Sequence, residues 1–514
     1  MSTSSLSDQE KALDVQHEFA SKRLDVPQFT AAEEKRLIRK IDLKFVPFLS
    51  LLYLLSFLGA SAARLDGLEA DLGLTGNEYQ ICLLVFFVGY VVTETPSNML
   101  LKRLRPSRVI PILMITWGTI MTLMGLAHNF AGLAAARFFL GLSESALFPG
   151  CCFLLASWYK RDESQLRIAI FFSAATLAGA FGGILAYCIG LMGGVGGKPG
   201  WFWIFALEGI ATVLVGCVAV FMIDDFPEDA KFITEREREF VVARLAADSG
   251  TAGAAFDWKQ VKRAFCDWRS YVYCLIYIGV TVPLYSLSLF VPTIISSLGT
   301  WTRPQSQLLS VPPYAAATLI TLISALLSDR FKQRALVNMF FTTMIVVGFA
   351  IQMGINPKEH PGVAYFAIFL CVCGVAPCIA NTITWTGNNM APVQKRGVAM
   401  GMMFTVGNSG GIISSVIYRT QDSPRYFLGH GIGLGFAAMS LLLSTFMFFY
   451  LRAENARRDV KYGPVSDYAK EGQGESLSGL TSDPDVRRRL GLDGMSDAEI
   501  EALGNSHPLF RFFP

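Results

Sequence analysis

Hydrophobic positions along this chain gather into long blocks rather than alternating stripes. Twelve blocks each approach the ~20 residues a helix needs to cross a bilayer. They are 45–63, 79–101, 108–127, 132–156, 168–191 and 201–223, then 270–298, 308–328, 335–355, 362–386, 397–418 and 428–451. The longest polar interruption, 224–269, separates the sixth block from the seventh. Within it, Thr234 to Asp248 is charged and helical in pattern, and Thr234 with Glu237 has capping-box spacing. The pattern predicts an all-α membrane protein of 12 transmembrane helices in a 6+6 arrangement. Its parts are a cytoplasmic N-terminal segment (1–43), an N-terminal bundle (44–223), a cytoplasmic linker loop (224–269), a C-terminal bundle (270–451) and a cytoplasmic tail (452–514). The tail is rich in Gly, Ser and Asp and is expected to be mostly disordered.

Basic residues set the orientation. With the N-terminus inside, the inner loops carry Lys102, Arg103, Arg105, Arg108, Lys160, Arg161, Arg167, Arg330, Lys332, Arg334, Lys395 and Arg396. The outer loops carry only Arg64, Lys198, Arg303, Lys358, Arg419 and Arg425, so both termini are placed in the cytoplasm. The halves echo each other. Lys102-Arg103-Leu104-Arg105-Pro106-Ser107-Arg108 follows the second block, and Ser328-Asp329-Arg330-Phe331-Lys332-Gln333-Arg334 follows the eighth. Such a repeat points to alternating access around a midplane site.

Composition narrows the function classes. Of 514 residues, 52% are hydrophobic and 17% charged, against roughly 25% charged in soluble domains. A net charge of +3 without a basic stripe gives no call for nucleic acid. The first 40 residues are polar, so the first block is a retained membrane helix rather than a signal peptide. Nine of the ten cysteines lie in apolar runs and suit packing. No Walker loop, GxSxG elbow or HExxH motif occurs, and the five histidines are scattered. No enzyme activity, cofactor or metal is expected, and transport energy would come from an ion or substrate gradient.

An ionisable residue inside a membrane helix costs ~3 kcal/mol on insertion scales and is a functional candidate by default. The first half holds four: Glu94, Arg137, Glu144 and Glu208. The second half holds none in its first five helices and only His430 in its last. Arg137 and Glu144 are two helical turns apart on one face, about 10 Å by helical rise. Arg137 has the planar fork that suits a substrate carboxylate, and Glu144 is the candidate for proton coupling. Glu94 and Glu208 are expected to gate or to hold structure, Glu208 through bonds within the N-terminal half. Asn381, Trp385 and Asn408 are the candidate polar substrate contacts of the second half. Lys102, Arg103, Arg108, Asp329, Arg330 and Arg334 are expected to gate the cytoplasmic side.

The chain resembles the major facilitator superfamily over roughly residues 38–460, and within it the fungal allantoate-permease-like branch of the anion:cation symporters. The resemblance rests on Pro96-Ser97-Asn98, on Ala136-Arg137-Phe138-Phe139-Leu140-Gly141 leading to Glu144, and on Phe148-Pro149-Gly150. It rests also on Trp158-Tyr159-Lys160-Arg161, Gly407-Asn408 through Gly411, and the Asp329-Arg330 loop, where Ala325 replaces the usual first Gly. It implies import of organic anions such as nicotinate, pantothenate, biotin or allantoate with protons. The chain departs from the branch in helix one. There Ser56-Phe57-Leu58 is followed by Gly59-Ala60-Ser61-Ala62-Ala63-Arg64 instead of an Asp-Arg-Ser-Asn motif. Phe202 stands where an Arg is usual. The expectation is a monomeric plasma-membrane transporter in the lipid bilayer, importing a small organic anion with protons. Metabolite export and a non-transporting receptor or inactive paralogue stay open at this point.

Overall fold

The computed structural model describes residues 29–58, 67–249, 257–299, 301–331, 333–468, 480–481 and 483–514. Among these residues every regular element is a helix. The N-terminal half contains α1 (Ala31–Ser56), α2 (Glu78–Leu104), α3 (Pro106–Met124), α4 (Phe130–Glu144, resuming as Leu147–Trp158), α5 (Arg161–Gly190) and α6 (Gly200–Met222). The C-terminal half contains α7 (Trp268–Ser297), α8 (Val311–Phe331), α9 (Arg334–Gly354), α10 (Pro361–Asn389), α11 (Val393–Asn408, resuming as Gly410–Ile417) and α12 (Phe427–Tyr462). The helices α3 to α12 are each long and apolar enough to cross a membrane. The remaining two, α1 and α2, pack against α5 and α4 inside the N-terminal bundle. The departing segment of helix one, 59–64, lies outside the described residues.

The first helix starts well before the first apolar block. Thr30 caps it: the Glu33 backbone N–H donates to the Thr30 hydroxyl, and the Glu33 carboxylate accepts from the Thr30 N–H. The charged turns that precede the apolar block are held from the side. Asp42 accepts both arms of Arg167 at 2.7 and 2.9 Å, and Lys40 pairs with Glu237 at 2.8 Å. A helix over Glu235–Ser249 supplies Glu237, and its start carries the anticipated Thr234–Glu237 box. Arg244 of the same helix pairs with Glu34 of α1 and with Glu163 at the start of α5. A second linker helix, Trp258–Cys266, packs instead on α11.

The hydrogen-bond ladder of two helices is interrupted inside the bundle. One interruption follows Glu144 in α4 and the other follows Asn408 in α11. The backbone stays right-handed helical through Ser145, Ala146 and Ser409, so both interruptions are local breaks in spans that run on as Phe130–Leu155 and Gln394–Ile417.

The halves meet through small residues. Gly179 of α5 faces the ring of Tyr314, leaving only 2.7 Å for a Cβ, and Thr176 bonds Thr318 at 2.8 Å. Gly411 of α11 has no room for a Cβ because the ring of Phe87 of α2 fills it. Toward the cytoplasmic side, Ala169, Ala325 and Ala380 of α5, α8 and α10 form a buried cluster. Small side chains let membrane helices approach closely.

The described part of the tail corrects the expectation of disorder, while 469–479 and 482 lie outside the described residues. Within it, Pro484–Leu490 and Asp497–Leu503 are helical, and residues 504–514 lie against the cytoplasmic end of the C-terminal bundle. Its polar composition hides a closing Phe-Arg-Phe-Phe whose rings and carbonyls find partners there.

Candidate functional site

A cavity of about 130 Å³ lies between the halves, with Arg137, Glu144 and Asn408 in its wall. Eleven aromatic side chains line it, among them Trp117 of α3, Phe205 of α6 and Tyr285 of α7. The volume is close to that of a ~150 Å³ protein cavity able to hold a single benzene ring.

Arg137 is 4% exposed. Its Nε and Nη2 have no hydrogen-bond partner, and its guanidinium carbon stands 5.7 Å from the centre of the Phe205 ring. Among the described residues it forms no ion pair within 4.0 Å. The expected seven-residue pairing with Glu144 thus places both groups in one wall without joining them. A buried guanidinium held over a ring in this way keeps unused hydrogen-bond donors in the cavity wall. Phe205 is held by its own neighbours, with its ring 6.2 Å from that of Trp201.

Asn408 connects the cavity to the other half. Its side-chain oxygen accepts from the Tyr285 hydroxyl at 2.6 Å, and its amide donates to Glu94 Oε1 at 2.8 Å. Glu94 is 1% exposed, and its second oxygen has no partner. This bond joins α2 to α11, which belong to different halves. Sequence reasoning missed Tyr285. Its signal was a polar-tipped ring in the middle of an apolar run, two residues after Pro283.

Three expected site residues lie elsewhere or make no expected bond. Asn381 is buried between helices, where its amide donates to the Arg334 carbonyl at 2.8 Å and its oxygen accepts from Ser328 at 3.0 Å. Trp385 is fully buried, and its indole N–H donates to the Phe513 carbonyl at 2.8 Å. Both sit in the last turns of α10, below the cavity, so they satisfy cytoplasmic packing rather than substrate. Glu208 was expected to bond within its own half. It is buried on α6, yet neither carboxylate oxygen has a hydrogen-bond partner.

The loop residues divide. Arg334 is buried and donates to the Ser328 hydroxyl at 2.8 Å, closing a cluster with Asn381. Arg108 and Arg330 are exposed, and the side chains of Lys102, Arg103 and Asp329 lie outside the described residues.

Comparisons with known proteins agree with this architecture. The family model described as Major Facilitator Superfamily matches residues 48–415. The chain is 35% identical over 499 residues to the MFS-type transporter cnsO of Penicillium expansum, covering 94% of this chain and 91% of that one. It is 34% identical over 433 residues to an uncharacterized transporter of Schizosaccharomyces pombe, covering 84% and 86%. Among solved structures, the proton:xylose symporter XylE bound to 6-bromo-6-deoxy-D-glucose superposes with a TM-score of 0.64. That match has 12% identity and covers 79% of this chain and 95% of that one.

Proposed function

Because the chain belongs to the major facilitator superfamily, we propose that its central cavity carries a small organic anion into the cell together with protons. The observation that carries this reading is the buried, unpartnered guanidinium of Arg137 in an aromatic wall. Arg137 would hold the carboxylate, while Trp117, Phe205 and Tyr285 would enclose an apolar, ring-sized body. Glu144, in the same wall but not bonded to Arg137, would take the proton on the outer side and release it on the inner. Proton binding there and anion binding at Arg137 would favour the same occluded arrangement, which is the linkage symport requires. Glu94, Asn408 and Tyr285 would report cavity occupancy to the contact between the halves. The activity is transport rather than catalysis, in a monomer at the plasma membrane.

The test is uptake of labelled vitamins and small carboxylates into cells expressing the chain, at pH 5 and pH 7.5. Acid-stimulated uptake of one anion, lost in Arg137→Lys at equal surface expression, supports the reading. Efflux of an anion from preloaded cells without acid-stimulated uptake overturns import, and flux unchanged in Arg137→Lys overturns the binding assignment.

A further inference from the structure

We propose that the cytoplasmic end of the C-terminal bundle is a peptide-binding site whose ligand is the chain's own segment 504–513, and that its occupancy fixes the inner end of α10.

The site has the parts of a peptide receptor. Two asparagine side chains act as strand partners for an extended backbone. Asn455 of α12 accepts from the Phe512 N–H at 2.9 Å and donates to the Phe512 carbonyl at 2.8 Å. Asn389 of α10 does the same for Phe513, at 2.8 and 2.9 Å. Arg458 gathers the carbonyls of Asn505, His507 and Phe510. Between these polar groups, Phe512 is 3% exposed in a pocket with Tyr273, Trp385, Met390, Met447 and Leu451. Its ring centre lies 4.9 Å from each of the Arg269 and Arg458 guanidinium carbons. Main-chain capture plus a side-chain pocket is how proteins recognise extended peptides. Gly504 starts the docked segment at a φ of +51° and has no room for a Cβ against Ala391 and Pro392.

The segment does more than cover a surface. Undocked, it would hand the Trp385 indole N–H and the Asn455 and Arg458 groups to water, exchanging these bonds for hydration. Trp385 and Asn389 lie on the stretch of α10 that also presents Ala380 to Ala169 of α5 and Ala325 of α8. The docked segment therefore braces the part of α10 that closes on the opposite half.

The docked state is also sensitive to acid. His507 is fully buried, its Nδ1 accepts from the Leu509 N–H at 3.1 Å, and its Nε2 has no partner. Burial, then the charges of Arg458 on α12 and Arg511 in its own segment, push the imidazole down to about 4. Those cations are themselves paired with Glu454 and Asp459. A depressed histidine favours the docked state above its ordinary value near 6.5, and that advantage fades as pH falls toward 4. Between pH 7.5 and pH 5.5 docking should weaken about tenfold.

Hydrogen exchange on the full chain in lipid nanodiscs tests the proposal without a substrate. The amides of Leu509, Phe512 and Phe513 should be protected at pH 7.5. After correction for intrinsic rates, their exchange should rise about tenfold at pH 5.5. Arg458→Ala should release them at both pH values. Gly504→Val, which alters only the docked segment, should release them even if Arg458→Ala fails to fold. Wild-type exchange at the intrinsic rate, or protection that survives Gly504→Val, overturns the binding site. With Ala169→Cys and Ala380→Cys, a short bifunctional thiol reagent should link α5 to α10, the product being identified by its peptide mass. A yield at least twofold lower with Gly504→Val supports the bracing of α10, and an unchanged yield overturns it.

Discussion

Asn408 of the C-terminal half donates to Glu94 of the N-terminal half across 2.8 Å, and the same side chain accepts from Tyr285 in the cavity wall. The pair is a buried hydrogen bond between two bodies that alternating access must separate. Asn408→Asp would bring a second carboxyl to Glu94 in place of a donor. Removing the donor from a buried acceptor costs ~1–3 kcal/mol, so the contact between α2 and α11 should weaken by roughly 5- to 100-fold. Double electron–electron resonance between spin labels on those two helices measures it. Asn408→Asp should populate a longer distance, whereas Tyr285→Phe should shift it less.

Arg137→Lys keeps the charge but removes the planar fork. If Arg137 holds a substrate carboxylate, two charge-assisted bonds worth several kcal/mol are at stake and lysine recovers only part, so uptake at subsaturating anion should fall by ~10- to 100-fold. Surface expression should be unchanged, because no protein group is bonded to the Nε or Nη2 that the substitution removes. Initial uptake rates against anion concentration would show the loss in KM first.

If Glu144 carries the proton, Glu144→Gln uncouples transport without closing the cavity. Net uptake should lose its acid stimulation, while exchange of external label for internal unlabelled anion continues. Coupling would have to be sought at Glu94 or Glu208 if the glutamine variant kept a wild-type pH profile.

Two glycines separate folding from motion. Gly141 of α4 lies against the Phe86 carbonyl of α2 inside one half, so Gly141→Ala should overpack that bundle and destabilise it by ~1–3 kcal/mol. Gly411 of α11 receives Phe87 from the other half. Gly411→Ala should leave the melting temperature of the purified chain nearly intact but cut uptake at least tenfold. Thermal melts and transport assays on the two variants should give opposite orders of damage.

Asp267, just before α7, receives Arg269 at 2.7 Å and Lys395 at 2.6 Å. Burial works against its charge, but Arg269 and then Lys395 outweigh it and hold the carboxyl down to about 2. The sign follows. The depressed carboxyl stabilises the fold above its ordinary value near 3.8, and that contribution is lost only as pH falls through 2. Asp267→Asn strands a buried lysine and should cost ~3 kcal/mol. The drop in melting temperature should be the same at pH 5 and pH 8.

The membrane helices were legible because a bilayer demands uninterrupted apolar length, which a sequence displays directly. The linker helix was legible through Thr234 and Glu237, a purely local signal. Arg137 and Glu144 stood out because charge in an apolar run has few innocent explanations. What the sequence could not display was partnership at long range. Asn381 and Trp385 looked like substrate contacts because a lone polar group in a helix declares a need without naming its partner. Their partners are Arg334 and Ser328 for one and Phe513 for the other. The tail was misjudged for the same reason. Composition averages its closing aromatic residues with the polar stretch before them, and the groups that hold it lie on α12 and α10, 47 to 128 residues away.

The two linker helices are fastened to opposite halves, Glu235–Ser249 to α1 and α5 and Trp258–Cys266 to α11. The eight peptide steps from Ser249 to Asp257 can span at most about 27 Å at full extension. The covalent connection between the halves is therefore a leash of fixed reach, anchored at both ends. It caps how far the cytoplasmic mouths can part, and lengthening or shortening it would change the stroke of the machine without altering either half.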